Sequence, residues 1–342
     1  MASWWVRYTG ATRYLNFPSV DITMDTVTKA TEAILVLIVG LMVGYLARRR
    51  GWLAETAATP LTRWLLAHVN PVVGVLALWT LPMRNLQAAA LPAIYVIHTM
   101  LLWPATVAMA KVLGLDNREK ASLIPPAMFS NQGFTYGVLV CYFAMGPEGL
   151  ALAALYLLPF SALLYTVGIA APSRYVSGSS RSPGGHLRQI LAQPYQRNPI
   201  LGVLAGLSLA LLRIPQPYFL RPVLEVLMPL SALGLLFAIG LTIHVSKVRD
   251  YWDSVVAMHL LKYVVAPALG VGLAMLFGFW SQPDHTLLKV IIIQSATPSA
   301  ITALSIVQAL GLNTNLANSC WLTTNLVAIP LAGALIWLVR LL

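Results

Sequence analysis

Charge is what this sequence has least of. Of its 342 residues only 10% are charged, and just 11 are Asp or Glu, where a soluble domain carries about a quarter. So few charges cannot cover the surface of a chain this long in water, which excludes an ordinary soluble protein. Cysteine is nearly absent: Cys141 and Cys320 both lie inside apolar runs, and they read as packing residues, with no metal-ligand spacing and no disulfide framework. No Gly-rich turn leads into Gly-Lys-Ser or Gly-Lys-Thr, so an ATP-driven pump is not indicated. His-Glu-X-X-His, Gly-X-Ser-X-Gly and a paired intramembrane aspartate are also missing, which counts against a membrane protease or hydrolase. We expect no enzyme, no cofactor and no metal. The start of the chain lacks the charged beginning and apolar core of a signal peptide, so the first apolar run itself must direct insertion.

What is present is hydrocarbon. Hydrophobic residues make up 58% of the chain and the mean hydropathy is +0.75, which makes it a polytopic membrane protein. About ten apolar runs are long enough to cross a bilayer. They fall at approximately 27–47, 60–81, 90–113, 120–145, 149–170, 195–214, 220–244, 254–279, 286–311 and 315–340. Residues 1–26 are polar with interspersed aromatics such as Trp4, Trp5 and Tyr14, which suits a segment at the lipid headgroups. Residues 171–194 contain Ser177-Gly178-Ser179-Ser180, the composition of a flexible linker, and they divide the chain into a first repeat, 27–170, and a second, 195–342. With an odd number of spans in each half, the second half enters the membrane from the opposite side, so the repeats are inverted.

The net charge of +11 would suggest nucleic acid in a soluble protein, but the basic residues form no stripe interleaved with exposed aromatics. They fall between the apolar runs, mostly on one side, with Arg48, Arg49, Arg50, Lys111, Lys120, Arg174 and Arg188 among them. That asymmetry puts the linker in the cytoplasm and both termini outside, in a plasma membrane or a bacterial inner membrane.

Two of the runs carry what a membrane helix should avoid. The fourth contains Pro125-Pro126 followed by Asn131-Gln132-Gly133, and the ninth contains Gln294-Ser295-Ala296-Thr297-Pro298-Ser299. Proline removes a backbone donor and clashes with the preceding turn, so each helix is expected to open in mid-membrane, with Pro125, Pro126 and Pro298 at the breaks. Open backbone is tolerated there only where it is buried in protein or lines a cavity. Matched breaks in two inverted repeats point to a transporter's binding site; two proline kinks without a ligand are the plainer alternative. A half-helix that starts in mid-membrane directs unpaired N–H groups into the gap and favours an anion. Asn131, Gln132, Gly133, Gln294, Ser295, Thr297 and Ser299 are the candidate binding residues, with Asn70 added from the second span. His98, near the middle of the third span, either contacts the anion or carries a proton, or is a neutral histidine bonded inside the bundle. Lys262, in the eighth, is expected to snorkel to the headgroups more readily than to attract a carboxylate.

Several motifs occur in an order that resembles one known family. Gly44-Tyr45-Leu46-Ala47-Arg48-Arg49-Arg50-Gly51, Asn70-Pro71, Asn131-Gln132-Gly133-Phe134, Asn198-Pro199, Gly240-Leu241 and Ala296-Thr297-Pro298-Ser299-Ala300 are together similar to the auxin efflux carrier family, related in fold to the bile acid–sodium symporters. The resemblance implies an all-α membrane protein of ten transmembrane helices in two inverted five-helix repeats, with crossed, broken fourth and ninth helices. It implies a scaffold of spans 1, 2, 6 and 7, a transport domain of spans 3–5 and 8–10, and often a homodimer held through the scaffold. The activity implied is secondary transport of a small organic anion by an elevator mechanism, with efflux favoured because the membrane voltage drives an anion outward. Sodium-coupled symport and a sensor that binds without translocating are the alternatives, and coupling to Na+ or H+ stays open.

Overall fold

The computed structural model describes residues 19–81, 86–176, 192–243 and 248–342. The expected headgroup segment therefore lies mostly outside the described residues, and residues 177–191 of the expected linker lie there too. Among the described residues the chain is helical throughout, with no strand longer than an isolated bridge. The first half runs α1 (Ser19–Arg49), α2 (Ala58–Trp64), α3 (Asn70–Trp79), α4 (Leu91–Val112), α5 (Asn117–Met128), α6 (Gly137–Tyr156), α7 (Phe160–Tyr165) and α8 (Val167–Ser173). The second runs α9 (Pro194–Leu211), α10 (Leu220–Thr242), α11 (Trp252–Leu260), α12 (Ala266–Leu276), α13 (Thr286–Ser295), α14 (Ile301–Ala309) and α15 (Thr314–Leu341).

Proline sets much of this segmentation. Widened π turns at Leu65–Val69 and Leu261–Val265 precede Pro71 and Pro267 and join α2 to α3 and α11 to α12. A proline ring has no N–H and crowds the preceding turn, and one extra residue in that turn relieves the clash without ending the helix. Within α6 the backbone turns at Gly146, at φ 66° and ψ −151°, just before Pro147. That conformation is essentially closed to a residue with a Cβ, and it separates the expected fourth and fifth spans.

Seven helical stretches among the described residues are long and apolar enough to cross a membrane: Met24–Arg49, Glu55–Trp79, Gln87–Val112, Gly137–Tyr165, Leu220–Thr242, Val248–Leu276 and Thr314–Leu341. The sequence count of about ten differs for a physical reason. The fourth and ninth runs are divided into short pieces, Gly137–Tyr165 joins part of the fourth to the fifth, and α9 carries a polar first turn of Gln196, Arg197 and Asn198.

The long helices pair through glycine. α1 packs along α10, where a Cβ on Gly44 would stand 2.1 Å from the Phe237 carbonyl oxygen and one on Gly240 would stand 2.3 Å from that of Leu41. α3 packs along α9, with Gly202 and Gly206 pressed on the Pro71 and Val75 backbones. Lipid tails give helices no hydrophobic reason to associate, so close backbone approach at small residues supplies the contact. The pairing is reciprocal: the first span of each half lies on the second span of the other. The same exchange relates α4 on α5 to α12 on α13, and α6 on α13 to α14 on α5. Asp25 at the start of α1 meets Arg340 at the end of α15, at 2.6 Å, so these two helix ends lie on the same side of the bundle.

Candidate functional site

α5 starts on a capping box in which Asp116 accepts from the Glu119 amide at 2.7 Å and the Glu119 carboxylate accepts from the Asp116 amide. Pro125 and Pro126 remain inside this helix, in its last turn. The break follows them by one turn, in the extended backbone from Phe129 onward, because prolines weaken the turn before them and the helix gives way only after its last carbonyls lose partners. In the second half Pro298 lies within the gap between α13 and α14. The two gaps meet as a short antiparallel bridge between Ser130 and Ser299. The Asn131 amide donates to the Pro298 carbonyl at 2.6 Å, and the Ala300 amide donates to the Phe129 carbonyl at 3.0 Å. Backbone groups stripped of helical partners thus satisfy one another inside the bundle, as a low-dielectric interior demands.

Side chains close the remaining valences. Gln132 is buried and its amide donates to the Gln294 carbonyl at 2.9 Å, which also accepts from the Thr297 hydroxyl at 2.9 Å. These bonds cap the end of α13. Asn131 accepts from the Thr135 hydroxyl and donates to Asn325 at 3.3 Å. Asn325 in turn donates to the Ser299 carbonyl at 3.0 Å. Asn131, Thr135, Asn325 and Trp321 line a cleft of about 40 Å³ whose opposite wall is apolar, formed by Leu37 and Leu41 of α1 and Leu236, Ile239 and Ile243 at α10. Several buried polar atoms around the crossing have no hydrogen-bond partner: both side-chain atoms of the Gln294 amide, the Ser299 hydroxyl and the Trp321 indole nitrogen. Unmet polar groups are costly in a buried place, and of these residues Trp321 lines the cleft.

The other sequence candidates take other partners. Asn70 accepts a hydrogen bond from Ser231 between α3 and α10, away from the crossing. Ser295 turns its hydroxyl back to the Ile291 carbonyl and packs on Gly270 of α12. His98 is buried and bonds through Nε2 to the Ala266 carbonyl at 2.9 Å, which pins α4 to α12. Nothing would stand within 4 Å of a Cβ on Gly133. Lys262 corrects the expectation of snorkelling. It is 0% exposed, and its ammonium donates to the Ala127 carbonyl and to the Ser130 hydroxyl, each at 2.7 Å. The lysine turns inward because the end of α5 offers it an uncapped carbonyl and a negative dipole end.

Residues 186–336 match the family model described as membrane transport protein. Over that stretch the chain is similar to membrane transport proteins. It is also 23% identical, over 306 residues, to an uncharacterized transporter of Methanothermobacter thermautotrophicus, an alignment that covers 88% of this chain and 97% of the relative. The family match falls in the second half and takes in Lys262, Gln294, Ser299, Trp321 and Asn325. Of these, Lys262, Trp321 and Asn325 were missed as site residues from sequence. Asn325 sits in an unbroken part of α15 and shows no local signal. Lys262 had one, since it stands five residues before Pro267, where a π turn rotates it toward the bundle.

Proposed function

We propose that this membrane protein moves a small organic anion across the bilayer by alternating access at the crossing of its two broken helices. The observation that carries the reading is the crossing itself. Two apolar runs open at corresponding places in the two halves, and the opened strands bond to each other around Ser130 and Ser299. α6 and α14 both begin there, and helix beginnings carry partial positive charge. Asn131, Thr135, Asn325 and Trp321 supply neutral polar groups on one wall of the adjoining cleft. An anion held by dipoles and amides is bound weakly enough to leave, whereas one clamped by a free arginine would be released slowly.

In this reading the chain spans the membrane ten times as two inverted repeats, and the reciprocal helix pairing supports the repeat. α1, α2, α3, α9 and α10 form the scaffold, and the helices around the crossing form the moving part. A cleft of about 40 Å³ holds only a few waters, each needing about 10–15 Å³ of such space. An organic acid therefore enters only when the apolar wall of α1 and α10 and the polar wall of the crossing separate, which is the motion an elevator requires. The exposed apolar residues Leu201, Leu204, Val226 and Leu230 of α9 and α10 face lipid or a second copy of the scaffold. Voltage, at about 2.3 kcal/mol per charge per 100 mV, suffices to drive a monoanion outward.

The test is a thermal-shift screen of mono- and dicarboxylates on the purified protein, followed by counterflow of the best acid in proteoliposomes. A binding acid should raise the melting temperature of the parent and lose that effect in Asn131→Ala. Stabilisation without counterflow would make the protein a sensor, and the absence of any carboxylate response would overturn the anion reading.

A further inference from the structure

Lys262 has a place in the crossing that anion binding alone does not explain. Its ammonium sits on the last turn of α5, bonded to the Ala127 carbonyl and to the hydroxyl of Ser130 on the opened strand. A half-helix end and a hydroxyl on unwound backbone are the oxygen donors with which transporters hold a coupling cation in mid-membrane. The end of α5 attracts positive charge through its dipole, and both oxygens would be left without a donor if the side chain were removed. The matching end of α13 is closed differently, by the neutral Gln132 amide and the Thr297 hydroxyl. One of the two half-helix ends is thus closed by an amine and the other by a neutral amide and a hydroxyl.

We propose that the Lys262 ammonium is a tethered cation occupying a monovalent-cation seat at the end of α5, so that the carrier works without sodium from solution. This rests on the transport reading of the crossing and deepens it. A charge carried on the protein travels with the moving helices. It offsets the charge of a bound monoanion in transit, and it leaves the empty carrier positive on its return. Net movement is still one negative charge per cycle, so voltage alone drives the transport.

The experiment measures sodium dependence of folding, which needs no organic anion and so can fail independently of the anion reading. Melting of the purified parent is compared in NaCl, KCl and choline chloride at equal ionic strength, alongside Lys262→Ser, which opens the seat, and Lys262→Met, which fills it with a neutral chain. The parent should melt at the same temperature in all three salts. Lys262→Ser should gain about 5 to 10 °C in sodium at roughly 100 times its dissociation constant, and Lys262→Met should melt lower than the parent with no sodium response. A merely structural cap would leave every variant indifferent to the salt. Sodium stabilisation of the parent, or a Lys262→Ser protein that ignores sodium, overturns the proposal. If Lys262→Ser is not recovered in potassium, recovery in sodium supports the proposal and failure in both salts overturns it.

Discussion

Two glycines four residues apart in the crossing should respond oppositely to the same added methyl group. A Cβ on Gly137, at the start of α6, would stand 2.4 Å from the Gln294 side-chain oxygen, 2.7 Å from the Gln132 carbonyl oxygen and 2.8 Å from the Gln132 Cα. Two of these atoms are backbone of the opened strand, and that strand is held to the second half through Asn131 and Pro298. The strand cannot yield without disturbing the bridge. Overpacking of this kind costs about 1–3 kcal/mol, and at roughly 2–4 °C per kcal/mol for a chain of this order Gly137→Ala should melt about 2 to 12 °C below the parent. A Cβ on Gly133 meets nothing within 4 Å. Gly133→Ala should keep the parent's melting temperature or exceed it slightly, because alanine narrows the unfolded ensemble by about 0.4–1 kcal/mol. Fluorescence-detected melting of the solubilised protein reads both. Equal losses in the two variants would mean that the segment is generally fragile and that the crossing lacks this packing, and an unchanged Gly137→Ala would refute the close approach directly.

The same logic applies to the scaffold, where Gly240→Ala drives a Cβ to 2.3 Å from the Leu41 carbonyl oxygen while Gly272→Ala meets nothing within 4 Å; only the first should lower the melting temperature. At the end of α15, Arg340 bonds the exposed Asp25 at 2.6 Å and also caps the Ala144 and Phe143 carbonyls at 3.2 and 3.3 Å, just before the Gly146 turn. Asp25→Asn should therefore change melting by no more than the ~0–1 kcal/mol of an exposed pair, and Arg340→Gln should cost more because two carbonyls lose their donor.

How much of this was legible depended on whether the signal was local. The opening of two helices was written in Pro125, Pro126 and Pro298 and in the amides and hydroxyls beside them, since proline acts on its own turn. The exact gap was less legible, because α5 holds its prolines and gives way only at Phe129. Gln132, Thr297 and Asn131 could be placed at the crossing because they lie on the interrupted strands themselves. Asn70 came from the Asn70-Pro71 motif of the family resemblance, yet its partner is Ser231 of α10, and no sequence pattern names a partner 161 residues away. Lys262 went the other way. Snorkelling was inferred from its depth along one helix, whereas its direction is set by a π turn and by a free carbonyl on another.

Four half-helix ends meet in this protein, and their charges do not cancel in place. α5 and α13 finish at the crossing and α6 and α14 begin there, with the first amides of α6, at Gly137 and Val138, donating to the Asn131 and Gln132 carbonyls at 3.0 Å. Each end carries roughly half a charge in the dipole description, worth up to about 2 kcal/mol when partly buried. Carbonyl ends would hold a cation and amide ends an anion, so the bare geometry suits either an anion carrier or a cation-coupled one. The side chains break that tie. Lys262 closes the end of α5 and Gln132 with Thr297 closes the end of α13, so both negative ends have protein partners. No acidic side chain lies on either opened strand to oppose the positive ones. What stays open is a cleft with Asn131, Thr135, Asn325 and Trp321 on its polar side, and on the transport reading proposed above that residual polarity suits a carboxylate.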